Sequence, residues 1–219
     1  MNNIHNLEEN NSILNQFMLE IRDIHVHNDK LRFRKNIERI GEIMSYEISK
    51  TLQYKTVDVQ TPLGIKAVSV PDEQIVLATI LRAGLPFHQG FLDIFDGAEN
   101  AFVSASRKYN KEHSAFTIEV EYLSSPSIEG KTLIVIDPML ATGGSMDLAY
   151  KTLLKKGTPA KIHVACVIAS QKGIEAVCGI FPKEITNIWA AAIDPYLNDK
   201  AYIVPGLGDA GDLAYGEKL

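Results

Sequence analysis

The sequence predicts an α/β protein with a mainly parallel sheet flanked by helices. Three observations predict it. Residues 75–81 and 132–136 are apolar, β-branched-rich runs without a charge, as strands buried on both faces require. Each runs through a short turn into apolar residues at helical spacing. From residue 75 to residue 193 strand and helix patterns alternate, which implies parallel crossovers.

Before that region, Ile13, Leu14, Phe17, Met18 and Ile21 make an amphipathic helix. A second starts near residue 28, with Leu31, Phe33, Ile37, Ile40, Ile43, Met44 and Ile48 at a period near 3.6. Its basic cluster, Lys30, Arg32, Arg34, Lys35 and Arg39, reads as a solvated face or a subunit contact, with phosphate binding the lesser alternative. His5, His25 and His27 have no carboxylate pattern around them and read as surface residues. Residues 55–70 alternate apolar and polar around Thr61-Pro62-Leu63-Gly64, a β-hairpin or arm.

Strand 75–81 ends in Arg82-Ala83-Gly84, 87–95 reads as helix and 101–106 as strand. A polar, charged excursion, 107–113, precedes residues 116–123, which alternate as an antiparallel strand or flap. After strand 132–136 and its helix come strand 162–169, helix 173–180 and strand 185–193. Glycine and proline are so dense in residues 201–212 that this stretch is expected to contain no regular helix or central strand.

Composition bounds the function classes. With 219 residues the chain is expected to form one domain, with N-terminal helices in 1–50, an arm in 55–70, a core in 75–193 and a separate final segment, 194–219. A net charge of −5 and a pI near 5.7 argue against a general binder of nucleic acid or anionic membrane. The first residues carry no basic segment followed by an apolar one, and no apolar run reaches the roughly 18 residues of a membrane span, so the expected location is the cytoplasm. Cys166 and Cys178 have no ligand-spaced partner and read as small core residues in a reducing compartment.

The chemistry concentrates in residues 131–147. Here a buried strand delivers Asp137 at its tip, then Pro138, Met139, Leu140 and Ala141, then Thr142, Gly143, Gly144 and Ser145 at a helix start. Such a turn offers backbone N–H groups and a helix dipole to an anion. Gly143 and Gly144 let the backbone approach a phosphate without a Cβ in the way, Thr142 and Ser145 add hydroxyls, and Asp137 can accept from ribose hydroxyls. The spacing is neither that of a P-loop nor that of a dinucleotide fingerprint. An ordinary strand–helix turn is the plainer reading of the geometry.

The string Asp-Pro-Met-Leu-Ala-Thr-Gly-Gly-Ser at 137–145 resembles the 5-phosphoribosyl-1-diphosphate (PRPP) fingerprint of phosphoribosyltransferases, in the variant of the uracil phosphoribosyltransferase family. Residues 202–212, Tyr-Ile-Val-Pro-Gly-Leu-Gly-Asp-Ala-Gly-Asp, are similar to that family's uracil-binding hood, and Ile80-Leu-Arg-Ala-Gly84 to another of its segments. Leu31-Arg-Phe-Arg34 through Ser45-Tyr-Glu47 resembles its N-terminal helix more weakly. The resemblance implies a phosphoribosyltransferase-like fold with a hood formed by 194–219, and transfer of the phosphoribosyl group of PRPP to N1 of uracil, giving UMP and diphosphate in pyrimidine salvage.

Carried over by position, residues 137–145 hold PRPP, with Arg82 and Arg107 on its diphosphate. Tyr202, Ile203, Gly208, Asp209 and Ala210 hold uracil, and Asp209 also faces PRPP and its Mg²⁺ through water; Asp212 takes that place or caps the residues after it. The catalytic set implied is Arg82, Arg107, Asp137 and Asp209. Ser106-Arg-Lys-Tyr-Asn110 departs from the family's pattern around Arg107, and Leu85-Pro-Phe-His88 departs after Gly84, with packing the expected role of His88. A homodimer or larger homo-oligomer and activation by GTP complete what the resemblance implies. Two alternatives stay open: transfer to another base, and a non-enzymatic RNA-binding regulator, which the acidic pI opposes.

Overall fold

The computed structural model describes residues 3–109 and 116–217, with side chains outside 105–120. Chain order is β1 (Asn3–Asn6), α1 (Leu14–Arg22), α2 (Lys30–Ser49), β2 (Tyr54–Thr61), β3 (Gly64–Pro71), β4 (Ile75–Leu81), α3 (Gly84–Ile94), β5 (Glu99–Tyr109) and β6 (Phe116–Ser124). Then come β7 (Thr132–Ile136), β8 (Met139–Leu140), α4 (Gly144–Leu153), β9 (Lys161–Ser170), α5 (Gln171–Ile180), β10 (Thr186–Asp194), β11 (Tyr196–Leu197), β12 (Ile203–Val204) and α6 (Ala210–Tyr215).

The main sheet has the order β1-β10-β9-β7-β4-β5-β6, with β8 added to β9. Its pairings are parallel except the β5–β6 edge, which is antiparallel. Alternation along the buried strands divides the core between the two faces. Leu77, Ile134, Ile136, Ala165, Val167 and Trp189 pack on the side of α1, α2 and α3. Val76, Ala78, Leu133, Val135, Val164 and Ile188 pack with Met146, Leu153, Ile174 and Val177 of α4 and α5. Between α2 and α3 the backbones touch: a Cβ on Gly90 would lie 2.0 Å from the Glu38 carbonyl, and one on Gly41 2.5 Å from that of Phe87.

Strand β5 pairs on one side of β4 and β7 on the other. The chain thus reverses its direction of growth across the sheet between these two strands. A crevice opens beyond the carboxyl ends of strands at such a reversal, and here those ends deliver Arg82 and Asp137.

Two expectations are corrected, on His5 and on the glycine-rich tail. Asn3–Asn6 forms an edge strand parallel to β10, and within it the His5 ring stacks on Trp189 at 3.8 Å, so His5 is a packed residue. The basic cluster of α2 is a solvated face, as expected: Lys30, Arg32, Lys35 and Arg39 are exposed, with Arg32 paired to Glu20 of α1 through two 2.8 Å hydrogen bonds, and only Arg34 turns inward, donating to the Ala214 carbonyl at 2.7 Å. The glycine-rich tail does hold a helix, α6, because its glycines 206 and 208 precede the start and Asp209 caps it. His88 is buried in α3 with its ring 5.3 Å from that of Phe102, as a packing role requires.

Candidate active site

The loop after β7 is braced from behind. Met139 and Leu140 pair with Ile168 and Ala169 of β9. The Ser170 hydroxyl donates to the Ala141 carbonyl at 2.6 Å and accepts from the Gly173 N–H at 2.9 Å, tying the loop to the start of α5. That start can lie so close only because residue 173 is glycine: a Cβ there would sit 2.4 Å from the Leu140 carbonyl. Pro138 faces away from the crevice, its carbonyl accepting from Val167 and Ile168 of β9.

Gly143 supplies the turn into α4. It adopts φ +80°, and a Cβ on it would lie 2.8 Å from that of Ala176. Of the two adjacent glycines only Gly143 has a positive φ; Gly144 is the first residue of the helix. The first-turn N–H groups of Gly144, Ser145 and Met146 lack intrahelical acceptors and stand at the crevice.

The crevice measures about 440 Å³ and brings two distant segments together. One wall is Asp137 with Met139 to Met146, another is Ile203 and Gly208 to Asp212, with Lys200, Ala201 and Tyr202 beside them and Arg82 at the end of β4. Every residue expected at the site lines it except Pro138 and Arg107. The Arg107 side chain lies outside the described residues. Lys200, Ala201, Gly211 and Met146, to which the sequence motifs assign no role, also line it. Gly211 lies within the 202–212 motif, and the other three flank the two motifs.

Asp137 is half-buried on the floor. Burial pushes its carboxyl up to about 7, although its Oδ1 accepts from the Met139 N–H at 3.1 Å, which acts the other way. A carboxyl raised on folding contributes stability that is lost as pH rises toward its folded value. Asp137→Asn should therefore melt higher than the parent protein above pH 7, with the gap closing as pH falls toward 4. Thermal melts across that range check this, and a gap constant with pH would contradict it.

Both hood acids line the crevice, and the cap that was one alternative for Asp212 is supplied by Asp209. Asp209 is the helix cap, its Oδ1 accepting from the N–H groups of Gly211 and Asp212 at 2.9 and 3.0 Å. Asp212 instead pairs with Arg82 at 3.0 Å, and Arg82 also donates to the Gly216 carbonyl at 3.3 Å. The guanidinium at the end of β4 is thus tied to the hood while its side chain remains over a third exposed. Ala201 is the one non-glycine residue with a positive φ among the described residues, at +60°. Ala201→Gly should relieve strain and raise stability by about 1 kcal/mol, read as a shifted urea midpoint.

The family model for uracil phosphoribosyltransferase matches residues 9–217. The chain belongs to the uracil phosphoribosyltransferase family. It is 60% identical over 208 residues to the uracil phosphoribosyltransferase of Porphyromonas gingivalis, covering 95% of each chain. With that of Pyrococcus furiosus it shares 39% over 214 residues, 96% of this chain and 89% of the relative. Among solved structures, the AQ2163 protein from Aquifex aeolicus superposes with a TM-score of 0.84 at 31% identity, covering 99% of each chain. Among the described residues no helix is long and apolar enough to cross a membrane.

Proposed function

We propose that this chain transfers the 5-phosphoribosyl group of PRPP to N1 of uracil, releasing diphosphate and forming UMP for pyrimidine salvage. The observation that carries the reading is the single crevice in which the 137–145 loop faces the 203–210 segment. A phosphate seat and a base seat share one cavity, so the reactants are held in line. The N1–C1′ bond forms as the C1′–oxygen bond breaks, its electron pair leaves on diphosphate, and the N1 proton passes to water. The cation-like C1′ and the departing negative charge are what the site must stabilise, and no nucleophilic side chain is needed.

The 5′-phosphate rests on the N–H groups of residues 141–145, and Asp137 accepts from the ribose hydroxyls. Arg82 meets the diphosphate, where its planar fork suits paired phosphate oxygens, by exchanging its Asp212 contact for the substrate. Arg107 is assigned the same anion on the family resemblance. Arg82→Lys keeps the charge but loses the fork, so kcat should fall by about 100-fold while uracil affinity changes little. An unchanged kcat would make Arg82 a structural residue.

Mg²⁺ fits the donors present. Asp137, Asp209 and Asp212 bring only carboxylate oxygens to the crevice, and the cap occupies Oδ1 of Asp209 but not Oδ2. Among the described residues, three acidic ligand atoms converge only at Glu38, Glu42 and Asp93, which lie on α2 and α3 and do not line the crevice. This suits an ion held mainly by water and substrate oxygens, with Asp209 as its protein partner. When bound, Mg²⁺ neutralises diphosphate charge.

The same reading places one catalytic domain over residues 1–219, in the cytoplasm, where its two free cysteines stay reduced. The hairpin of β2 and β3 supports a homo-oligomer. Leu63 and Ile65 on it are 99% and 73% exposed, and an isolated two-stranded ribbon is marginal in water unless something packs on it. Activation by GTP rests on the family resemblance alone. The test of the function is mass balance: with PRPP, Mg²⁺ and uracil, UMP and diphosphate should appear one for one, with and without GTP. Diphosphate release that does not depend on uracil would overturn it.

A further inference from the structure

The turn that carries the base seat is held by a charge pair outside the crevice. Arg22, the last residue of α1, sends Nη1 and Nη2 to the two carboxylate oxygens of Asp194, each at 2.8 Å. Asp194 is the last residue of β10, at the carboxyl end of a strand parallel to β4 and β7, the end of the sheet at which the crevice opens. The pair then grips one residue from both sides. Gly206 donates its N–H to Asp194 Oδ2 at 2.8 Å, and its carbonyl accepts from Arg22 Nη1 at 3.0 Å.

Gly206 lies in a tight turn. It takes φ +60°, and a Cβ on it would be 2.1 Å from the Ile203 carbonyl. On one side of it Ile203 lines the crevice, and on the other Gly208 and Ala210 do. Neither Arg22 nor Asp194 lines it. The side chain of Asp194 is only 7% exposed, so without Arg22 its charge would be left in protein with one N–H donor. The Gly206 carbonyl would lose a charge-assisted partner at the same moment.

We propose that Arg22 and Asp194 are positioning residues for the base: their pair fixes the 203–208 turn and so sets uracil affinity without touching either substrate. The inference rests on the reading that the 203–210 segment holds uracil. It assigns a role in base binding to the first helix, whose other polar contact, Glu20 with Arg32 and Asn36, ties it to α2. A guanidinium suits the place because one planar group reaches both carboxylate oxygens and the Gly206 carbonyl; an ammonium on a flexible stem cannot reproduce all three contacts. The C-terminal end of α1 adds a favourable field for the cation.

The experiment is steady-state kinetics on the full chain with uracil and PRPP varied in turn, for the parent protein, Arg22→Met, Arg22→Lys and Gly208→Val. Arg22→Met should raise KM for uracil by about tenfold or more, while KM for PRPP stays within about threefold. Arg22→Lys should restore part of the uracil affinity, because it keeps the charge opposite Asp194. The proposal is overturned if Arg22→Met leaves KM for uracil unchanged, if both KM values rise together, or if both Arg22 variants fail to fold. Gly208→Val separates the two readings. If it raises KM for uracil and Arg22→Met does not, the pair has no positioning role; if neither does, the base lies elsewhere and the hood reading itself fails.

Discussion

Cytosine should be turned over roughly 10⁴–10⁵ times less efficiently than uracil, because on the proposed reading the main chain of the 203–210 segment holds the base. Uracil presents two carbonyl acceptors with an N3–H donor between them. Backbone N–H groups near Gly208 and Ala210 can donate to one carbonyl, and the Ile203 carbonyl can accept from N3–H. Cytosine inverts two of these features, offering a bare N3 and a 4-amino group. Carbonyl then faces lone pair and N–H faces N–H₂, and each buried group left unpaired costs about 1–3 kcal/mol. 5-Fluorouracil keeps uracil's pattern and adds little volume, so it should be a substrate. Point changes such as Ala210→Ser should alter efficiency without admitting cytosine. The measurement is kcat/KM for uracil, 5-fluorouracil, cytosine and hypoxanthine under one set of conditions. Comparable values for cytosine or hypoxanthine would contradict the uracil assignment.

Gly144→Val should fold normally and lose PRPP affinity by at least about 100-fold, or ~2.7 kcal/mol. Gly144 opens α4 with no positive φ, so valine is tolerated by the backbone. Its side chain would stand among the first-turn N–H groups to which the proposed function assigns the phosphate. Gly143 supplies the contrast. It sits at φ +80° and a Cβ on it would lie 2.8 Å from the Ala176 methyl, so Gly143→Val should lose stability as well, by about 1–3 kcal/mol. Calorimetric titration with PRPP alongside a thermal melt separates the two. Near-parental affinity in a folded Gly144→Val protein would show that the phosphate seat lies elsewhere.

What the sequence made legible follows from the range of the interactions involved. Strands β4 and β7 are buried on both faces, so charge-free runs announce them. The loop beyond β7 carries its chemistry within nine consecutive residues, 137–145, and was readable for that reason. Strand β1 was not. Asn3-Ile4-His5-Asn6 has no strand composition, and it pairs only because the edge of β10 is free to accept it and Trp189 offers a ring to His5. The helix in the glycine-rich tail was missed because its stability comes from the Asp209 cap and from Arg34 gripping the Ala214 carbonyl, 180 residues away in sequence. The links Arg82–Asp212 and Arg22–Asp194 join positions 130 and 172 residues apart, where spacing carries no signal. The family motifs named the parts of the crevice, and the fold alone shows what holds them.

The claim beneath all of this is that one crevice seats both reactants, with phosphate on the loop after β7 and base under the hood. A crystal structure with UMP bound tests it directly. The account predicts the 5′-phosphate within hydrogen-bonding distance of the N–H groups of residues 141–145, the ribose hydroxyls on Asp137, and the uracil edge on the main chain of Ile203 and of residues 208–210. UMP with its base turned away from the hood, or its phosphate on any surface other than this loop, would contradict it.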